Sequence, residues 1–290
     1  MRAFVTGLAL WVLAGGAAAA QPAAPPPPAG APAIPTTGVS TQDPAQLRDC
    51  QARFKAIGLP RHRSEDRLLA QVPVCRDGWA AAFNCASGNP DWVMEHLTPA
   101  RVRGTAVRKD RFRPDGWVSC SPTKADYLNF GYDRGHQAPA ADASFSQQAM
   151  DDSFFMTNMS PQVGDGFNSG QWKYLEEAVR AWVLCGGRDD VMVMTGPIYG
   201  TSTRRIGARQ IRVPQAYYKI VYDLRSGRAV GFRLENQPYK KTPVGHFIVP
   251  ISDIEDATGL DFFPALSRRA QAQIETPKGL AWGHDQSCSA

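Results

Sequence analysis

The sequence lacks any hydrophobic run long enough to cross a membrane. It also lacks a pair of cysteines separated by two residues and a histidine at zinc-finger spacing from a cysteine, which argues against a structural zinc site. It contains no internal repeat, and residues 46–290 contain no low-complexity stretch. What remains is a chain of 290 residues, 43% of them hydrophobic, which is enough for one substantial core. We therefore expect a globular fold without stable membrane association.

The amino terminus has the order of an export signal. Residues 1–20 begin with a positive charge, continue with an apolar run over 3–13 and end in small residues, as a cleaved signal peptide does. Because the apolar run is shorter than the roughly 20 residues of a membrane span, cleavage is favoured over an uncleaved anchor. Residues 21–45 are rich in proline and alanine and predict a disordered leader. The sequence thus predicts a secreted or periplasmic protein with a single domain over 46–290.

The cysteines and the charge are consistent with an exported protein that has a polyanionic partner. Six cysteines predict disulfides in an oxidising compartment. Cys75 and Cys85 are close in sequence, but spacing alone leaves the pairing open. The net charge of +5 suits a polyanion. Five arginines and one lysine fall within 101–113, where a solvated surface loop and a nucleic-acid contact both remain open.

Hydrophobic periodicity and turn residues predict an α+β fold, with a central antiparallel sheet flanked by helices. The segment 225–228, which contains a glycine, reads as a hairpin turn between two strands. Helices are expected over 46–57, 146–152 and 170–184, and strands over 154–158, 191–195, 213–224, 229–234 and 246–251.

The chemistry is concentrated first in residues 132–142. His136 can accept a proton near neutral pH, because an unperturbed histidine has a pKa near 6.5. Arg134, two residues away, can hold a phosphate with two hydrogen bonds. A lone histidine in a loop rich in glycine and proline is more often structural, so this segment by itself only suggests catalysis.

A second cluster strengthens the case. Asn168 precedes the expected long helix, where it could be an ordinary capping-region residue or a neutral oxygen ligand for magnesium. Glu176 and Arg180 are four residues apart and share one helix face. They could form an intrahelical salt bridge, or they could place a carboxylate near a metal and a guanidinium near a phosphate.

At this point the sequence resembles a known family, the DNA/RNA non-specific endonucleases, which include endonuclease G and belong to the ββα-metal or His-Me finger nucleases. The resemblance covers roughly residues 90–250. Its motifs occur in the family's order: Asp133–His136 with Ala138 and Pro139, the segment 157–162, Phe167 with Asn168, Trp172 with Glu176, and the segment 193–197.

The resemblance implies a magnesium site and a base. His136, on a strand of the ββα-metal finger, would be the general base. Asn168, at the start of the long helix, would be the one direct protein ligand of Mg²⁺, for which Mn²⁺ or another divalent ion can substitute. Glu176 would orient metal-bound waters.

The resemblance also implies that arginines bind the substrate. Arg134 and Arg180 would hold the scissile phosphate, and Arg111 or Arg113 would supply a further upstream contact. The expected activity is sequence-non-specific hydrolysis of DNA and RNA that leaves 5′-phosphate ends. Contacts to phosphates carry little sequence information.

Two other functions remain to be excluded: a basic protein that coats nucleic acid without cutting it, and a phosphodiesterase for small substrates. The joint presence of His136, Asn168 and Glu176 argues against the first. The basic segment 101–113 argues weakly against the second. The preference between DNA and RNA, a homodimer and an inhibitor protein are left open by the sequence.

Overall fold

The computed structural model describes residues 38–65, 70–201 and 204–276. The expected signal peptide, 1–20, and most of the expected leader lie outside these residues. The last eight leader residues, 38–45, are not a disordered segment, so the expectation is wrong there. Ser40 forms a β-bridge with Val118, and the side-chain amide of Gln42 makes hydrogen bonds of 2.7 and 3.0 Å to the backbone of Cys75. Gln42 thereby supplies hydrogen-bond partners for the buried backbone N–H and C=O groups of Cys75.

A seven-stranded antiparallel sheet forms the centre of the fold, in the order β12-β11-β10-β7-β4-β3-β2. The strands are β1 (Arg61–His62), β2 (Gln71–Cys75), β3 (Trp79–Asn84), β4 (Asn89–Leu97), β5 (Asp133–His136), β6 (Met159–Gln162), β7 (Val191–Ile198), β8 (Arg205–Ile206), β9 (Ile211–Arg212), β10 (Ala216–Asp223), β11 (Arg228–Glu235), β12 (Ile248–Val249) and β13 (Leu260–Asp261). The hairpin turn expected at 225–228 is confirmed, because Asp223 pairs with Arg228 across it.

Helices flank this sheet, which confirms the expected fold class. They are α1 (Pro44–Ala52), α2 (Pro99–Val102), α3 (Gln147–Asp152), α4 (Lys173–Leu184), α5 (Ile251–Thr258) and α6 (Arg268–Glu275). None of the helices in the described ranges is long and apolar enough to cross a membrane. The expected strand at 154–158 is wrong, because the segment ends in a tight helical turn, Met156–Asn158. The strand expected over 246–251 is confirmed only for β12, since 246–247 belong to a helical turn and Ile251 begins α5.

Both faces of the sheet are covered, which explains why its inner strands read as almost continuous apolar runs. Every residue of β7 and of β10 is buried. On one face, Met194 and Ile220 pack beneath α1 and α5. On the other face, Val193 and Val221 pack against Leu175, Val179 and Trp182 of α4. The amphipathic stripe of α4 thus fixes this helix to the sheet, and α4 carries part of the candidate site.

Two disulfides link the strands at the β2 side of the sheet to neighbouring segments. Cys50 in α1 is bonded to Cys75 in β2, and Cys85 is bonded to Cys120. Cys185, after α4, is also in a disulfide. The two cysteines that are closest in sequence, Cys75 and Cys85, therefore do not pair with each other. Crosslinks of this kind stabilise a fold mainly by restricting the unfolded chain.

Candidate active site

Strands β5 and β6 form a two-stranded antiparallel unit that leads into α4. Gly135 lies opposite Ser160, and His136 lies opposite Met159. A Cβ atom at position 135 would stand 2.0 Å from the side-chain oxygen of Gln162. Only glycine therefore permits the close approach that aligns His136 with the rest of the site. This ββα unit has the architecture expected for a ββα-metal finger.

His136 lies in an aromatic pocket. Its ring packs edge-on against Phe154 at 5.0 Å between centroids and lies 5.7 Å from Phe112. Burial lowers the pKa of His136 to about 3, and the positive charges of Arg108 and Arg134 act in the same direction. The imidazole is therefore neutral near pH 7. Its Nε2 atom is buried and has no hydrogen-bond partner in the described part of the chain, while the residue itself lines the cavity described below.

Asn168 lies in an irregular helical segment, Gly164–Trp172, between β6 and α4. Its backbone N–H donates to the carbonyl of Val163 at 2.9 Å. Its side-chain nitrogen donates to the carboxylate of Asp133 on β5 at 2.8 Å. Because the amide nitrogen of Asn168 donates its hydrogen bond to Asp133, the oxygen of the same amide remains available as a metal ligand. Asn168 is thus oriented by Asp133.

The two helix residues, Glu176 and Arg180, do not form the salt bridge that their spacing allowed. The guanidinium of Arg180 instead donates to the carboxylate of Asp142 at 2.8 Å, with side chains only 11% and 4% exposed. Burial raises the pKa of Glu176 to about 7, although the nearby charges of Lys219 and Arg180 oppose the shift. Arg180 is therefore held in place by Asp142, and Glu176 changes its charge near neutral pH.

Sequence reasoning missed a group of buried charges beneath α4. Lys219, in the middle of β10, is 1% exposed and donates to the hydroxyl of Thr195 at 2.7 Å. Glu95 on β4 is 3% exposed, and burial raises its pKa well above the ordinary value. Both groups interact electrostatically with Glu176. A lysine within the apolar run 216–222 was the sequence signal that pointed to them.

These residues converge on one open cavity of about 630 Å³. Its lining contains five cationic side chains and three carboxylates: Arg108, Lys124, Arg134, Lys173, Arg180, Asp110, Asp133 and Glu176, together with His136 and Asn168. Five of the seven expected site residues are therefore brought together. The excess of positive charge suits a phosphate diester.

The other two expected residues, Arg111 and Arg113, do not line the cavity. Arg113 donates to the carbonyl of Asp151 at 2.6 Å and stacks on Phe155 at 3.9 Å. Arg111 is exposed. In their place the structure brings Arg108 to the cavity, where it forms an ion pair with Asp110 at 2.7 Å. The basic segment 101–113 pointed to this region, but its spacing could not show which arginine faces inward.

The cavity's donor set fits a hydrated divalent cation. The described ranges contain no cluster of three or more histidine, cysteine, aspartate or glutamate side chains that could enclose a metal. Mg²⁺ does not need such a cage, because it usually keeps several waters and binds through one or two protein oxygens. Asn168 and Glu176 supply hard oxygen donors on the same cavity wall.

Comparison with known proteins gives a consistent result. A family model described as DNA/RNA non-specific endonuclease matches residues 69–269. A mitochondrial nuclease of Saccharomyces cerevisiae is 37% identical, with the match covering 64% of this chain and 64% of the yeast protein. Mitochondrial endonuclease G of Homo sapiens is 34% identical, with coverage of 70% and 72%. A chain in the crystal structure of the EndoG/EndoGI complex is 27% identical, covers 79% of this chain and 96% of its own length, and gives a TM-score of 0.65.

The comparison overturns the expectation of a secreted or periplasmic protein. The relatives from S. cerevisiae, Schizosaccharomyces pombe and H. sapiens are named as mitochondrial nucleases. Residues 1–20, on which the expectation depended, lie outside the described residues. The order of charged, apolar and small residues over 1–20 was thus not sufficient to assign a destination.

The family match encloses the whole site, since every residue that lines the 630 Å³ cavity falls within 69–269. The ββα unit, the neutral, partly buried histidine and the cationic cavity agree with this match. The resemblance and the enzyme class expected from the sequence are therefore confirmed: the chain is a nuclease and belongs to the DNA/RNA non-specific endonuclease family.

Proposed function

We propose that the chain hydrolyses phosphodiester bonds of both DNA and RNA with a magnesium ion and His136 as general base. The observation that carries this proposal is the convergence of His136, Asn168, Glu176, Arg134 and Arg180 on one cavity. Each residue supplies a function that in-line hydrolysis needs: proton removal, cation binding and neutralisation of phosphate charge.

His136 would take the proton from the attacking water. A general base must be unprotonated at the working pH, and the pKa of about 3 keeps this imidazole neutral. Its basicity is correspondingly low, so it serves best as a base when the positive charge that appears on it is balanced by the anionic phosphate nearby. Phe112 and Phe154 fix the ring plane.

Asn168 would bind the cation directly, and Glu176 would bind it through water. When bound, the cation supplies charge neutralisation at the phosphate and at the leaving oxygen. Asp133 would keep the amide of Asn168 in the orientation that presents its oxygen. The carboxylate of Glu176 must be ionised for its role, and a nearby cation would lower its pKa from the value of about 7 to which burial raises it.

Arg134 and Arg180 would bind the non-bridging oxygens of the scissile phosphate, and Arg108 would add a contact at the cavity rim. The guanidinium carbon of Arg134 lies over the ring of Phe112, 4.5 Å from the ring centroid, and this contact holds the guanidinium in place. The cavity presents charges to the phosphate backbone, so relaxed sequence specificity follows. We infer that attack by water leaves a 5′-phosphate and a 3′-hydroxyl.

We propose that a single nuclease domain carries this activity. The family match covers residues 69–269, and one continuous sheet includes the seven strands in the order from β12 to β2. Both observations support a single domain. An inhibitor protein as partner is supported by the similar structure, which is a complex described as the mechanism of EndoG inhibition. A homodimer remains a prediction.

Digestion of plasmid DNA and ribosomal RNA in Mg²⁺, in Mn²⁺ and in EDTA tests the proposal, with Asn168→Ala alongside the unmodified protein. We expect both substrates to be degraded with either metal and to stay intact in EDTA, and we expect Asn168→Ala to need far more metal. Binding of both nucleic acids without cleavage in any divalent metal would instead support a coating protein.

A further inference from the structure

A second cavity adjoins the active site. Its volume is about 250 Å³, and its lining residues are Ser169, Gly170, Gln171, Lys173, Tyr174, Glu177, Tyr239 and Lys241. Ser169 and Lys173 line both cavities. The two cavities therefore adjoin at the first turn of α4, next to the candidate metal ligand Asn168. None of the roles described above uses Tyr174, Tyr239 or Lys241.

The wall of this second cavity is held rigidly. The side-chain amide of Gln171 makes two hydrogen bonds of 2.8 Å to the backbone of Thr242, one donated and one accepted. The N–H of Tyr239 donates to the carbonyl of Gly166 at 3.2 Å. Its ring packs edge-on against Phe247 at 5.2 Å. The loop that carries Tyr239 and Lys241 is thus fixed to the same irregular segment that carries Asn168.

The chemistry of the lining distinguishes it from the active-site cavity. The second cavity has two tyrosines, two lysines and one carboxylate, Glu177, and it contains no arginine. Lys173 forms an exposed ion pair with Glu177 at 3.7 Å, which offsets part of its charge. Lys241 lies over the ring of Tyr174 at 4.5 Å. All the arginines of the two linings are therefore in the first cavity, whose one phenylalanine, Phe112, already packs against His136, whereas both tyrosines are in the second.

We propose that the second cavity binds a nucleobase of the substrate, next to the nucleotide whose phosphate is cut. Bases stack on aromatic side chains whatever their identity, because every base has a π face. The ring of Tyr174 would supply that surface, Tyr239 would supply an adjoining wall, and Lys241 would move from the ring to the sugar–phosphate chain. This proposal rests on the proposed function, because it places the base relative to the scissile phosphate.

The site would favour single strands. In a duplex the base is paired and stacked, and turning it out of the stack costs a few kcal/mol. In a single strand that cost is largely absent. Stacking without hydrogen-bond readout of the base edge adds affinity but little sequence preference, which agrees with the relaxed specificity expected of the first cavity.

Binding of a single-stranded DNA oligonucleotide that contains 2-aminopurine tests this site without catalysis. The protein carries His136→Ala, and the buffer contains EDTA. We expect 2-aminopurine fluorescence to change on binding and Tyr174→Leu to raise Kd about fivefold to tenfold and to reduce that change. Tyr174→Phe keeps the ring and should behave as the parent. Lys241→Ala should weaken binding more than its exposed neighbour Lys240→Ala, which does not line the cavity.

An oligonucleotide of the same length with abasic sugars is the ligand control. Tyr174→Leu should leave its Kd unchanged, because the backbone phosphates do not need the ring. Equal Kd values for Tyr174→Leu and Tyr174→Phe on the normal strand, equal weakening on the abasic strand, or no binding of single strands would overturn the base site. Whether the unmodified protein digests DNA in Mg²⁺ is scored separately, so failure of the nuclease is distinguishable from failure of this site.

Discussion

The two faces of the central sheet are built from the same strands, yet they bury different chemistry. Along β10, Tyr218, Ile220 and Tyr222 face an almost wholly apolar cluster beneath α1 and α5. Tyr217 and Val221 face α4, and Lys219 lies between them on that side. The hydroxyl of Tyr217 bonds Ser160 and the carbonyl of Pro161 on β6, both at 2.8 Å. One face is therefore devoted to packing, and the other supports the active site through polar atoms.

This difference shows where the protein accepts a cost in stability. Burial of Glu95 and Lys219 is unfavourable unless each charge is compensated, and the compensating charges belong to the site above them. On the opposite face the buried carboxylate of Glu255 is compensated locally, by the N–H of Phe262 and by Arg63, and not by the active site. We therefore expect substitutions on the α4 face to affect activity together with stability, and substitutions on the opposite face to affect stability alone.

The largest loss of stability is expected from Arg180→Leu. The Arg180–Asp142 pair is almost buried, so removing one partner leaves an uncompensated carboxylate and should lower the free energy of unfolding by about 3–5 kcal/mol. Urea unfolding measures this change. The double variant Arg180→Leu/Asp142→Leu should recover most of the stability but no activity. A loss below about 1 kcal/mol for the single variant would show that the pair is not buried as described.

On the opposite face, Ile220→Ala is expected to be a purely structural change. Ile220 is completely buried, and its truncation should cost about 2–5 kcal/mol through lost burial and a residual cavity. Below the melting temperature kcat should stay within about twofold of the parent, because the change lies on the packing side of the sheet. A fall in kcat comparable to that of an active-site variant would remove the distinction between the two faces.

The dependence of activity on pH separates the two titrating groups of the site. The pKa of His136 is about 3, so this residue stays neutral from pH 5 to 8. Glu176, with a pKa of about 7, takes up a proton as the pH falls. Activity should therefore decline toward acid by about tenfold per pH unit, with a midpoint at or below 7 because a bound cation favours the carboxylate.

The control for this pH profile is Glu176→Gln, which should have low activity without the acidic limb. kcat/KM on plasmid DNA would be measured from pH 5 to 8.5 in buffers of constant ionic strength. An acidic limb near pH 6.5 that persists in Glu176→Gln would assign the titration to His136, and the buried, neutral state described for that ring would then be wrong.

A smaller effect is expected at the cavity rim. Arg108→Ala should raise KM about fivefold, because its exposed guanidinium contributes roughly 1 kcal/mol to phosphate binding. Arg111→Ala is the matched control, since it removes a charge from the same segment without touching the cavity lining. Steady-state kinetics at two salt concentrations would compare the two variants. Equal effects would indicate diffuse attraction by the whole segment rather than a contact from Arg108.

Local patterns predicted the parts of this structure that local physics determines. The amphipathic stripe of α4 and the hairpin turn after Asp223 follow from motifs read along the chain, whereas the shared site of His136 and Asn168 was implied by the resemblance to the family. The supposed strand at 154–158 was wrong because its apolar residues, which are buried against neighbouring segments, suit a tight turn as well as a strand.

Contacts between residues distant in sequence could not be predicted. Asp142 holds Arg180 across 38 positions, and Lys219 lies beneath α4 only because β10 is an inner strand of the sheet. The position of Arg108 rather than Arg113 at the cavity depends on the path of an irregular loop. In each case the deciding interaction is tertiary, and the sequence spacing allowed several partners.

The most direct test of the central claim is the kcat of His136→Ala on plasmid DNA and ribosomal RNA in Mg²⁺. The matched control is His246→Ala, an exposed histidine outside the cavity, and thermal melts verify that both variants fold. Loss of the general base should lower kcat about 10²- to 10⁴-fold on both substrates, whereas His246→Ala should match the parent. A His136→Ala protein that folds and keeps its kcat within about tenfold of the parent on either substrate would contradict the assignment of His136 as the base.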